Sequence, residues 1–319
     1  MELLSRGPAS LPECDSGSTH SAMHSPVPPN RSGGLPLALG AHLIWGLLPL
    51  YLWLVSHIPA FEFVGWRVIS SLPLCLAILA WRGQLGEVKA ALAAPKTRWM
   101  LLASSVLIGI NWLVYVAAIQ AGEVYAASIG YYVTPLLSVA AGTLFLNEKL
   151  TRRQWLAVAI STIGVLLMAW EALASLGISL VLALSWTAYG FVRKLAPVGA
   201  LTGLTVEVIV LFLPALAIAG WYAQGPAGSA ILWGWKDAGL IVVSGVVTAA
   251  PLVLFAMAAQ RLTYSAMGMI QFLSPSMVFL VGLFFFGKPL GTAQLASFAL
   301  IWTAIALFIV DLLARSRKA

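Results

Sequence analysis

The sequence predicts an all-α integral membrane protein of ten transmembrane helices, arranged as two inverted five-helix repeats. Three observations carry this. Of the 319 residues 61% are hydrophobic and only 9% charged, where a soluble domain has about 25% charged residues. Lys and Arg collect in alternate connections. And the stretch Ala126–Trp155, an apolar segment with an internal proline followed by a polar, basic turn, recurs at Ala266–Leu295.

Ten segments reach the roughly 20 mostly apolar residues that a bilayer demands: 36–55, 60–81, 97–119, 124–146, 153–170, 173–193, 200–222, 237–259, 264–286 and 291–312. Residues 1–35 are rich in Ser, Pro and Gly and lack the apolar core of a signal peptide, so they read as a disordered cytoplasmic tail. Residues 36–170 make the first repeat, 173–312 the second, and 313–319 a basic cytoplasmic tail. All connections are short except 82–96 and 223–236.

Orientation follows from charge. With the N-terminus inside, fifteen Lys and Arg residues fall in inside segments, two (Lys236 and Lys288) outside, and Arg67 within a span. The positive-inside rule then puts both termini in the cytoplasm. The same rule accounts for the net charge of +7 without nucleic acid. Trp53, Trp81, Trp99, Trp155, Trp170 and Trp221 lie near span ends, as interfacial anchors do.

The repeat is gapless over its best region. At a constant offset, Gln120 pairs with Gln260, Ala126 with Ala266, Pro135 with Pro275, Gly142 with Gly282, and Gln154 with Gln294. Elsewhere it is looser, pairing Trp45 with Trp186 and Glu62 with Glu207. Five spans is an odd number, so the second set enters from the opposite side and the repeat is inverted. Helix breaks at matching places in such repeats point to a transporter's binding site, and Pro135 and Pro275 are the expected breaks.

The candidate substrate or ion-pathway residues are Glu62, Arg67, Asn111, Tyr131, Glu207 and Gln271. An ionised side chain near the bilayer centre costs at least ~2.5–3.5 kcal/mol, so it needs a partner or a cavity. Arg67 stands close to the middle of the second span, and could serve a pathway or lock the bundle by bonding carbonyls. Glu62 lies near the outer end of that span and Glu207 in the cytoplasmic half of the seventh. A satisfied carboxylate is the plain alternative for Glu207. Asn111 belongs to a polar aromatic set with Trp112, Tyr115, Tyr132, Trp186 and Tyr189. Tyr131 and Gln271 each sit one turn before a proline, where backbone carbonyls are freed. Interhelical hydrogen bonding is the alternative for these amides and phenols. Glu148, in the basic turn NEKLTRR, reads as solvated, as do Glu123 and Glu171.

Several chemistries find no support. Residues 282–288, GLFFFGK, have Pro289 where a P-loop needs Ser or Thr. The four histidines all precede residue 58 without metal spacing, and Cys14 and Cys75 form no pattern. No cofactor, metal or enzyme activity is expected.

The span region resembles the RarD branch of the EamA-type transporters, in the drug/metabolite transporter superfamily. The residues that carry the likeness are Trp45-Gly46 with Pro49, PAFEFVGWR around Glu62 and Arg67, IGINW at 108–112, ASIGYYVTPL at 127–136, FLNEKLTRRQW at 145–155, SWTAYGFVRK at 185–194 and IQFLSPSMVFL at 270–280. The resemblance implies ten helices in two inverted repeats and export of small metabolites or drugs. One departure is the turn Gly287-Lys288-Pro289, where related sequences tend to carry an acid. The expected function is thus a secondary transporter of the bacterial inner membrane, an exporter working by alternating access. Its expected partners are a small-molecule substrate, lipid and a coupling ion. The alternative is a membrane receptor or assembly protein that transports nothing.

Overall fold

The computed structural model describes residues 31–120, 124–169, 176–285, 287 and 291–316. The described residues are almost all helical: α1 (Arg31–Leu54), α2 (Ala60–Trp81), α3 (Leu85–Ala93), α4 (Pro95–Gln120), α5 (Val124–Phe145), α6 (Arg152–Ala169), α7 (Leu176–Leu195), α8 (Ala200–Ala223), α9 (Trp235–Arg261), α10 (Tyr264–Gln271), α11 (Leu273–Phe284) and α12 (Thr292–Ser316). A bilayer leaves little choice, because only a helix or a closed barrel pairs every backbone group internally.

Among the described residues, nine spans are long and apolar enough to cross a membrane, α10 and α11 counting as one. The tenth expected span, α6, is not in that group. Its 18 residues open on Arg152, Arg153 and Gln154, which dilute the apolar run. It nevertheless lies along α12, where a Cβ on Gly164 would come within 3.1 Å of the Ser297 carbonyl oxygen.

Two chain ends differ from expectation. Helix α1 starts at Arg31, inside the stretch expected to be a disordered tail, and α12 continues to Ser316. The 82–96 connection folds as the short helix α3, tied to α8 where Thr202 donates to Glu87 at 2.7 Å.

Packing follows a pattern of exchange. Let α1, α2, α4, α5 and α6 be one set, and α7, α8, α9, α10–α11 and α12 the other. Three pairings join counterparts directly: α2 with α8, α5 with α10, and α6 with α12. The rest come in swapped couples. α1 packs on α9 as α4 packs on α7, α1 on α11 as α5 on α7, and α2 on α9 as α4 on α8. Such an exchange is the pattern that a two-fold relation between the sets would give. Close approach is made by small residues, as usual where lipid leaves no hydrophobic drive between helices. A Cβ on Gly268 of α10 would lie 2.7 Å from the Pro135 carbonyl oxygen of α5.

The two proline helices differ, against the expectation of matching breaks. α5 runs unbroken through Pro135. Only one ladder hydrogen bond is lost there, and the Thr134 hydroxyl adds a bond to the Gly130 carbonyl at 2.8 Å. In the second set the helix is interrupted at Phe272, between α10 and α11 and three residues before Pro275.

Candidate functional site

A cavity of about 860 Å³ opens between the two sets, within the range of small-molecule sites. It reaches from Ser56, Ile58 and Ala60 in and beside the α1–α2 turn to His42, Trp45 and Trp186 at mid-bundle. Its wall is mainly aromatic and aliphatic, and no Asp or Glu is among its described lining residues.

Arg67 lies on that wall. Its Nε donates to Thr248 Oγ1 of α9 at 2.9 Å, and its guanidinium carbon sits 5.4 Å from the Trp112 ring centroid and 6.0 Å from that of Phe63. Among the described residues no carboxylate lies within ion-pair distance of it. The terminal nitrogens of its fork are bonded to no described residue and are not sealed from the cavity.

The cavity also gathers Asn111, Tyr131, Gln271 and Pro275. Asn111 Nδ2 donates to the Leu182 carbonyl and to Ser185 Oγ, both at 3.0 Å, which fixes it to α7. Tyr131 packs against Tyr115, ring centroids 5.8 Å apart. Gln271 is buried with both side-chain polar atoms unpartnered in the protein, right where α10 ends. Orphaned polar atoms at a cavity wall are groups that a ligand or water can satisfy.

Three of the sequence candidates lie elsewhere. Pro135 is buried within α5, beside Gly268. Glu62 is fully buried at the start of α2, where its Oε1 accepts from Ser229 Oγ at 2.7 Å, the Ala230 amide at 2.8 Å and Trp66 Nε1 at 3.2 Å. It ties α2 to the α8–α9 connection. Glu207 is buried off the cavity. Its Oε1 accepts from Ser104 Oγ at 2.5 Å and faces Arg193 Nε at 3.4 Å, while its Oε2 accepts from Tyr189 at 3.3 Å. Arg193, counted by charge as a cytoplasmic loop residue, is 0% exposed.

At the end away from the α1–α2 turn, polar contacts tie helix ends and connections together. Glu148, expected to be solvated, is half-buried and accepts from the backbone amides of Tyr264 at 2.6 Å and Ser265 at 2.8 Å. These are first-turn amides of α10, without helical partners and at the positive end of its dipole. Lys194 Nζ donates to the Ala259 and Leu262 carbonyls, and Arg261 reaches the Gly33 carbonyl. Glu123, Glu171 and Lys288 lie outside the described residues.

Sequence reasoning missed His42. It is buried on the cavity floor, its Nδ1 2.8 Å from Ser274 Oγ and its Nε2 unpartnered, with its ring against Trp45 and Phe255. Dismissing the histidines for lack of metal spacing hid the usable signal, which was a histidine well inside an apolar span.

The EamA-like transporter family matches residues 32–170. The chain is 40% identical to the uncharacterized transporter PA0485 of Pseudomonas aeruginosa, over 88% of this chain and 95% of that one. It is 39% identical to protein RarD of Salmonella typhimurium (89% and 97% covered) and 36% identical to that of Escherichia coli (89% and 96%). A solved crystal structure shares the fold with a TM-score of 0.68 at 15% identity, covering 88% of this chain and 98% of the other. With the motifs around Arg67, Pro135 and Pro275 spread over an all-helical membrane fold, the chain belongs to the RarD branch of the EamA-like transporter family.

Proposed function

We propose that the protein is a secondary transporter that exports a small metabolite or drug across the bacterial inner membrane, by alternating access between two inverted five-helix repeats at 36–170 and 173–312. The observation that carries this reading is the cavity itself, open at one end of the bundle, latched at the other, and lined by residues of both repeats. The charge distribution supports a cytoplasmic place for the latched, basic end, and on this reading the arrangement is outward-open. Arg67, Asn111, Tyr131 and Gln271 are the substrate-facing polar residues. Glu62 and Glu207 brace the bundle at its two ends.

The test is flux. Purified protein in vesicles should accelerate movement of a ligand found by thermal-shift screening against metabolites and antibiotics. Binding without flux in any direction or gradient removes the transporter reading and leaves a receptor. Reporter fusions after residues 57, 90 and 150 should read outside, inside and inside; an outside signal at 150 contradicts the orientation.

A further inference from the structure

We infer that the ligand of this cavity is an organic monoanion with an aromatic or flat apolar body, its acid group held by the guanidinium of Arg67. The inference rests on the transporter reading of the cavity and names its substrate class.

Three features lead there. First, charge. Arg67 is the one Lys, Arg, Asp or Glu among the described lining residues. A guanidinium stays ionised at any physiological pH, so it cannot escape the cost of its position by losing a proton. Every other buried charge described here has protein partners: Glu207 has Arg193, Ser104 and Tyr189, and Glu62 has three donors. Arg67 has one hydroxyl, Thr248, and two rings.

Second, geometry. Thr248 engages Nε, and the Trp112 face lies against the guanidinium. Both hold the plane of the fork while leaving the terminal nitrogens to the cavity. A planar fork with free ends matches a carboxylate in bidentate fashion.

Third, the remaining wall. Trp112, Tyr115 and Tyr131 stand near Arg67, and Trp45, Trp186 and Phe279 line the same cavity. These rings suit a flat apolar body and stack well on one. A cationic or zwitterionic ligand would bring an ammonium group, and the described wall offers it no carboxylate. The wall therefore selects against the amine as well as for the acid.

The experiment uses full-length protein in lipid nanodiscs and calorimetric binding at neutral pH. The probes are 3-phenylpropanoate, its neutral amide, phenylalanine, 2-phenylethylamine and ring-less propanoate. A charge-assisted contact should make 3-phenylpropanoate bind about tenfold tighter than the amide, or more. It should also outbind phenylalanine, the amine and propanoate. In Arg67→Gln the acid-to-amide ratio should fall to about one. Thr248→Val, which frees Nε while leaving the charge, should weaken the acid and spare the amide. The ratio is taken within each variant, so a loss of folded protein does not mimic the result. Equal binding of acid and amide, preference for the amine or zwitterion, a ratio unchanged in Arg67→Gln, or no binding by any probe overturns the inference. Vesicle flux is read separately. Carboxylate preference without flux removes the transporter and keeps the anion site; flux of a bound ligand without carboxylate preference does the reverse.

Discussion

Trp45 of α1 and Trp186 of α7 meet edge to face on the cavity floor, ring centroids 5.3 Å apart at 79°. They are counterparts in the repeat, and a residue that touches its own counterpart lies beside the two-fold axis. Phe255 packs on both, at 5.7 and 5.6 Å. Trp45, Trp186 and Phe255 thus form one aromatic cluster that joins α1, α7 and α9. An aromatic pair of this geometry is worth about 0.5–1.5 kcal/mol beyond area burial. A double-mutant cycle of Trp45→Ala and Trp186→Ala, read by unfolding in detergent, should return a coupling of that size. Additive losses would place the pair outside the energetics of the floor.

The Glu148 carboxylate ties the α5–α6 connection to the start of α10, and under alternating access it would act as a latch. Bonds to a charged group are worth roughly 1.5–3 kcal/mol each, and Glu148 makes two. Glu148→Ala should shift the population toward the form open at that end. With the native cysteines removed, a cysteine at buried Ser138 of α5 should then label faster with a water-borne maleimide from the basic side. Unchanged labelling would leave Glu148 as a helix cap and nothing more.

Arg193 and Glu207 form a buried pair, and removing one partner of such a pair costs about 3–5 kcal/mol because the other charge is stranded. Arg193→Met and Glu207→Met should each lower folded protein sharply, whereas the double variant should recover much of it. Single variants that fold normally and fail only in flux would move Glu207 into the transport pathway.

Tyr131 and Gln271 face the same space from α5 and α10. Cysteines at the two positions should react with small water-soluble reagents added from the mouth side, and bound 3-phenylpropanoate should slow both reactions. Labelling by lipid-soluble reagents alone would deny the shared cavity.

Hydropathy and the Lys/Arg asymmetry make the helices legible, because a bilayer imposes length and polarity on each one independently. Asn111, Tyr131 and Gln271 do line the cavity, in keeping with polar groups in lipid turning inward, whereas of the two prolines only Pro275 does. What the sequence hides is which inward face a residue occupies. Glu62 and Glu207 look like pathway charges, yet their partners Ser229 and Arg193 take them off the cavity. Glu148 looks solvated because its acceptor role depends on amides over a hundred residues away. Thr248 and Ser274 are small hydroxyls with no local signal, and only packing shows one on Arg67 and the other on His42.

The difference between unbroken α5 and interrupted α10–α11 reaches beyond local geometry. Under the alternating-access reading, two like elements in two shapes would amount to a before-and-after record within one molecule. If each half adopts in turn the shape its counterpart shows now, α5 breaks at Tyr132, the counterpart of Phe272, while α10 and α11 fuse. Amide exchange at residues 131–134 should rise in Glu148→Ala, and flat exchange there would refute the swap. On that reading the conformation facing the other way would need no instructions of its own: it would already be written, in reverse order, in this one.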